Sequence, residues 1–215
     1  MILYRIVRAL IKGICKVYWR LTFEGLENVP KTGSFVLAPV HRSWLDFALV
    51  SGITKRRMRY LGKDSLWKFK PLGAFISTLG AFPVRRGSAD REAFHRCIDI
   101  INAGEPLVLF PEGTRRSGPV VENLFEGAAY VAARTGVPIV PVGIGGSERA
   151  LAKGSRVPRP VKIHVIVGPP ISPPQPRDDG RPASRKTIHA VTEQLQTEIQ
   201  KLFDEAQIKA DAKPA

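Results

Sequence analysis

Apolar and polar positions change rhythm several times along the chain. The first twenty residues, MILYRIVRALIKGICKVYWR, carry Arg5, Arg8, Lys12, Lys16 and Arg20 at spacings of three or four. At about 100° per residue these basic positions fall on one narrow helical stripe. Ile2, Leu3, Ile6, Val7, Leu10, Ile11, Ile14, Val17, Tyr18 and Trp19 fill most of the remainder, and no acidic residue precedes Glu24. The pattern predicts an amphipathic helix with a wide apolar face. A basic stripe beside that face, with aromatics at one end, suits a helix lying in a membrane interface. The alternative is an ordinary amphipathic helix packed on the domain with its charges in water.

Beyond residue 30, short apolar runs alternate with helical patterns. Strands are expected at 34–40, 58–61, 81–84, 107–110, 139–142 and 161–167. Helices are expected at 45–53, 65–79, 89–103, 127–134 and 184–206. Strands interleaved with helices predict an α/β fold, a single domain whose mixed, largely parallel sheet is flanked by helices. The Pro-rich stretch 168–182 reads as a connection to a last, peripheral helix. The chain thus divides into a membrane-associating helix (1–22), one folded domain (23–206) and a disordered tail (207–215).

Charge narrows the partners. Thirty-three Lys and Arg against nineteen Asp and Glu give a net charge of +14. Such a field favours an anionic partner: nucleic acid, an anionic membrane or a phosphorylated small molecule. Cys15 and Cys97 have neither metal-site spacing nor the density of a disulfide scaffold, which predicts a reducing compartment. No stretch reaches the ~18 uninterrupted apolar residues of a spanning helix. The N-terminus also lacks the separate charged and apolar regions of a signal peptide.

Candidate chemistry begins at APVHRSWLD, where an apolar run ends in His41 and Asp46 follows five residues later. On one regular helix the two would lie about 140° apart. With His41 on the turn before the helix, Asp46 can point back at the imidazole, and Ser43 is a plausible N-cap between them. An Asp that accepts one ring N–H fixes the tautomer and leaves the other nitrogen free to take a proton. That is general-base geometry without a protein nucleophile; the alternative is a structural hydrogen bond. No Cys/His cluster is near, so no metal is expected.

A second stretch, LVLFPEGTRRSG (107–118), runs a strand into a Gly turn with a hydroxyl and two guanidinium groups, a phosphate-compatible set. It lacks the spacing of a nucleotide P-loop. GAFPVRRG (80–87) is another strand that ends in paired arginines, and VPIVPVGIGG (137–146) is an apolar strand whose prolines suggest a place near a sheet edge. Lys63, after the second strand, is a candidate anion contact or a solvated surface charge. The run KRRMRYLGKDSLWKFK (55–70) sets Trp67 and Phe69 among seven basic residues against one acid. It suits a lipid headgroup surface or single-stranded nucleic acid.

Together these blocks resemble the glycerolipid acyltransferases. HRSWLD resembles the family's His-x4-Asp motif and GAFPVRR its second block, with Arg86 at its arginine. FPEGTRRS resembles its third block with one extra arginine, and VPIVPV its fourth. The subgroup most similar is the 1-acylglycerol-3-phosphate acyltransferases. The resemblance implies that His41 deprotonates the sn-2 hydroxyl of lysophosphatidate, which attacks an acyl thioester, while Asp46 holds His41. It implies that Arg86, Glu112, Gly113, Thr114 and Arg115 bind the acceptor and that Pro141 shapes the acyl-donor side. It further implies an acyl-CoA or acyl carrier protein co-substrate, no cofactor, no nucleic acid, and a peripheral or monotopic place on an anionic membrane surface at the cytoplasmic face. The same chemistry on glycerol-3-phosphate or another lysophospholipid is one alternative. A basic membrane- or nucleic-acid-binding module is another, motivated by the net charge.

Overall fold

The computed structural model describes residues 2–84, 91–176 and 182–212. Helix α1 (Ile2–Tyr18) leads into an edge strand, β1 (Thr22–Glu24). There follow β2 (Val36–Pro39), α2 (Asp46–Val50), β3 (Arg59–Lys63), α3 (Lys70–Thr78), β4 (Ala81–Val84) and α4 (Arg91–Asn102). The second half runs β5 (Leu107–Val108), α5 (Gly127–Thr135), β6 (Ile139–Gly145), α6 (Ser147–Ala150), β7 (His164–Val167) and α7 (Arg185–Asp211).

The strands form one seven-stranded sheet in the order β1-β7-β6-β2-β5-β3-β4. Every pair is parallel except β6–β7, which is antiparallel. β2 and β6 are buried at every position, as expected of strands covered on both faces. α7 lies on β6 and buries Leu195, Ile199, Leu202, Phe203 and Ala206. Gly143 permits the close approach: a Cβ there would stand 2.3 Å from the Leu202 backbone.

This topology aligns the C-terminal ends of β2, β5, β3 and β4 side by side on one edge of the sheet. His41 follows β2, Glu112–Arg115 follow β5, and Lys63 ends β3. Ligand sites of open α/β sheets gather beyond such ends.

Helix α1 packs one face on the domain and leaves another exposed. Tyr4, Cys15 and Trp19 pack on the domain, Ile11 is partly buried, and Ile6, Leu10, Ile14 and Val17 are each more than half exposed. At 100° per residue the packed and exposed faces are well separated, with Lys12 and Lys16 on one flank between them. The basic stripe is not uniformly solvated. Arg8 turns inward and its guanidinium donates to the Thr54 carbonyl.

Other expectations change in detail. The expected helix 65–79 is a 3-10 turn (Asp64–Lys68) followed by α3, because Pro71 sets the start of the helix and Phe69 before it is extended. β1 and α6 were not expected; three and four residues are too few to show a period. The expected tail at 207–215 is helical as far as Asp211, held by burial of Ala206 and Ala210. β6 is an interior strand rather than an edge. It tolerates Pro141 because that residue's carbonyl faces Gly168, so its missing N–H falls on the same side, before the β7 ladder that starts at Val142.

Candidate active site

His41 is almost fully buried, at 3 % exposure, and Asp46 entirely so. His41 Nδ1 lies 2.9 Å from Asp46 Oδ2. The same oxygen accepts the backbone N–H groups of Arg42 and Ser43, each at 2.7 Å. Three donors converging on one oxygen lock the turn between β2 and α2. This arrangement corrects the expected capping: Ser43 does not cap α2, and its hydroxyl instead donates to the Leu151 carbonyl at 2.8 Å. Ser43 Oγ also accepts the Leu45 N–H at 3.2 Å, and no side chain caps the first turn of α2.

With Nδ1 committed to Asp46, Nε2 is the remaining nitrogen of a ring that lines a cavity of about 530 Å³. The ring is packed by Phe110, 4.1 Å between centroids, and by Phe47 at 5.3 Å. The cavity runs between the sheet end, α2, α3 and the inner face of α1. It is mostly apolar, lined among others by Val7, Ile11, Phe47, Leu61, Leu66 and Ile76. Its described lining holds the cations Arg8, Lys63 and Arg115 and no carboxylate. Such a space fits an apolar chain with an anionic end.

The expected site residues separate into groups. Thr114, Arg115 and Lys63 reach the cavity with His41. The Arg115 guanidinium lies 4.3 Å from the centre of the Trp44 ring, at the same mouth. Arg86 lies outside the described residues. Glu112 does not line the cavity. It is 1 % exposed, accepts the His41 amide at 2.8 Å through Oε1, and pairs with Arg42 through Oε2 at 2.5 Å. Gly113 adopts a left-handed φ of 66° beneath the Phe125 ring, which a Cβ would meet at 2.7 Å. Pro141 sits within β6 against Gly168, away from the cavity wall. The extra arginine, Arg116, donates its amide to the His41 carbonyl at 2.9 Å and pairs with Glu122 at 3.0 Å.

Arg42 is the structural residue that sequence reasoning missed. It is fully buried, donates to the Gly118 and Val120 carbonyls at 3.1 and 2.9 Å, and stacks 5.0 Å from the Phe203 ring. The signal was Glu112, an acid in another apolar-to-turn junction. Among the described residues, no group of three or more His, Cys, Asp or Glu could hold a metal ion.

Comparison with known proteins places the chain as a whole. The family profile described as Acyltransferase matches residues 20–145, which include both members of the His41/Asp46 pair. A 1-acyl-sn-glycerol-3-phosphate acyltransferase of Bacillus subtilis is 30% identical over 193 residues, 89% of each chain. One from Streptococcus pneumoniae is 28% identical over 89% of this chain and 70% of its own. The crystal structure of the 1-acyl-sn-glycerophosphate acyltransferase PlsC from Thermotoga maritima shares the fold, with a TM-score of 0.77, 24% identity and coverage of 98% of this chain and 83% of that one. With more than half its length matched by the profile and a buried His/Asp pair at the mouth of an apolar cavity, the chain belongs to the acyltransferase family.

Proposed function

We propose that the protein transfers an acyl group from a thioester, acyl-CoA or acyl carrier protein, to the sn-2 hydroxyl of 1-acylglycerol-3-phosphate, giving phosphatidate. The observation that carries this reading is the 2.9 Å His41–Asp46 contact on the wall of an apolar, cation-bearing cavity. The names of the relatives support the acceptor.

In this reading His41 Nε2 takes the hydroxyl proton as the acceptor oxygen attacks the thioester carbonyl. The oxygen must come within about 3 Å of that nitrogen. Asp46 accepts the Nδ1 proton's hydrogen bond throughout and stabilises the imidazolium. Collapse of the tetrahedral adduct breaks the carbon–sulfur bond, and the imidazolium returns the proton to the departing thiolate. No acyl-enzyme forms. Arg115 and Lys63, at the mouth with Thr114, hold the acceptor phosphate, and the apolar wall takes an acyl chain.

The exposed stripe Ile6, Leu10, Ile14 and Val17, with Lys12 and Lys16 beside it, rests on an anionic bilayer. Among the described residues no helix is long and apolar enough to cross a membrane. A peripheral or monotopic position at the cytoplasmic face gives the site both a lipid acceptor and a thioester donor.

The test is free-thiol release from acyl-CoA with a panel of acceptors: lysophosphatidate, glycerol-3-phosphate and other lysophospholipids. Fastest release with lysophosphatidate, abolished in His41→Ala, supports the reading. Equal release by wild type and His41→Ala sinks the role of His41, and a different preferred acceptor replaces the substrate.

A further inference from the structure

The cavity has an unexpected inner end. β3 runs parallel to β5, and β5 to β2, so Tyr60, three residues before Lys63, lies deeper along the strand than the cationic mouth. The rings of His41, Phe47 and Tyr60 follow one another with centroid steps of 5.3 and 6.2 Å. Opposite stands α1, whose Tyr4 and Arg8 share one helix face and line the same cavity. The inner end of an otherwise apolar space therefore carries two phenols and a guanidinium.

Both tyrosines are nine-tenths buried, at 9 % exposure, and neither Oη has a hydrogen-bond partner. Tyr4 Oη lies near the Met58 backbone without forming a hydrogen bond. Burial, reinforced by neighbouring Tyr4, pushes Tyr60 far above the ordinary phenol range, so it stays protonated and able to donate. Arg8 commits one arm to the Thr54 carbonyl. A plain methylene chain offers these groups nothing, and an unsatisfied buried hydroxyl is costly. An oxygen on the chain at this depth accepts from a phenol and, as a hydroxyl, donates to the other.

We propose that Tyr60, Tyr4 and Arg8 make the cavity select an acyl chain carrying a hydroxyl near its buried part over the plain chain of equal length. The inference rests on the reading of the cavity as an acyl-chain site. The chain belongs to the donor or to the acceptor, and the experiment separates the two.

Full-length protein in detergent micelles is given equal mixtures of plain acyl-CoA and its positional monohydroxy isomers, with plain lysophosphatidate as acceptor. A second arm gives plain acyl-CoA with mixtures of plain and monohydroxyacyl lysophosphatidate. One isomer in one arm is expected to outcompete the plain chain roughly three- to tenfold, the scale of one net hydrogen bond. Tyr60→Phe and, independently, Arg8→Met should bring that ratio toward one; thermal melts identify a variant that fails to fold, and the other then decides. Ratios near one for every isomer in both arms overturn the proposal, as do ratios unchanged in folded variants. In that event, plain-chain transfer that still depends on His41 leaves the acyltransferase reading standing. Absence of any transfer by wild type overturns both.

Discussion

Glu112 divides its carboxylate between the backbone of His41 and the guanidinium of Arg42, so that a buried ion pair holds the His41 turn in place. Both partners are essentially without solvent contact. Removing one member of such a pair leaves an uncompensated buried charge and costs about 3–5 kcal/mol. Glu112→Gln and Arg42→Met are therefore each expected to lower the unfolding free energy obtained from urea titration by that scale. The double variant Arg42→Met/Glu112→Gln should lose less than the sum of the two single losses, since the two effects are coupled. Strictly additive losses in the double variant would show that the pair does not act as a unit.

The same site predicts a separation of stability from rate at Asp46. All three donors on Asp46 reach a single oxygen, Oδ2, while Oδ1 has no partner. An asparagine can place its carbonyl oxygen there and keep the turn, but it loses the negative charge facing the imidazolium. Asp46→Asn is expected to fold and to lose about 10²-fold or more in kcat, while His41→Ala loses about 10²–10⁴-fold. Thiol release measured beside a thermal melt checks both. A fully active Asp46→Asn would remove charge stabilisation from the mechanism.

Much of this site was legible because apolar runs of four to six residues that stop at a polar turn are local signals. The His41/Asp46 relation needed only the knowledge that a strand ends and a helix begins between them. The partner of Glu112 was not legible, because Arg42 and Glu112 are 70 positions apart and meet only when β2 and β5 pair. The cavity role of α1 was hidden for a related reason: Arg8 shares the helical stripe of exposed lysines, and only tertiary packing turns it inward. Arg116 looked equivalent to Arg115, yet its backbone bond to His41 and its ion pair with Glu122 give the two neighbours different tasks.

Helix α1 yields a prediction in two parts. Leu10 and Ile14 are exposed, at 60% and 56%, so Leu10→Asp/Ile14→Asp should change the melting temperature little, in keeping with surface substitutions of about ±0.5 kcal/mol. It should sharply reduce flotation with anionic vesicles. Deleting residues 1–20 should do more, because Tyr4, Val7, Arg8 and Ile11 form one wall of the cavity. Transfer to a short-chain, soluble acceptor should then fall as well. Undiminished flotation of the double variant would place the membrane contact elsewhere.

At the far edge of the sheet, His164 ties β7 to β1. Its Nδ1 is 2.7 Å from Thr22 Oγ1 and its Nε2 is 3.3 Å from Glu24 Oε1. Burial holds its pKa below the ordinary value of about 6.5, outweighing the opposite pull of Glu24. The unfolded chain therefore takes up this proton first as pH falls. The stability linked to neutral His164 is fully present above about pH 6.5 and is lost as pH drops from there toward the lower, folded value. Glu24 is also depressed, chiefly by its hydrogen bond to Lys209, but its linked stability is lost further down, below about pH 4.3. Melting temperatures recorded from pH 8 to pH 5 should thus decline on the acidic side in wild type and decline less steeply in His164→Asn. Identical slopes in the two proteins would exclude His164 as a source of acid sensitivity.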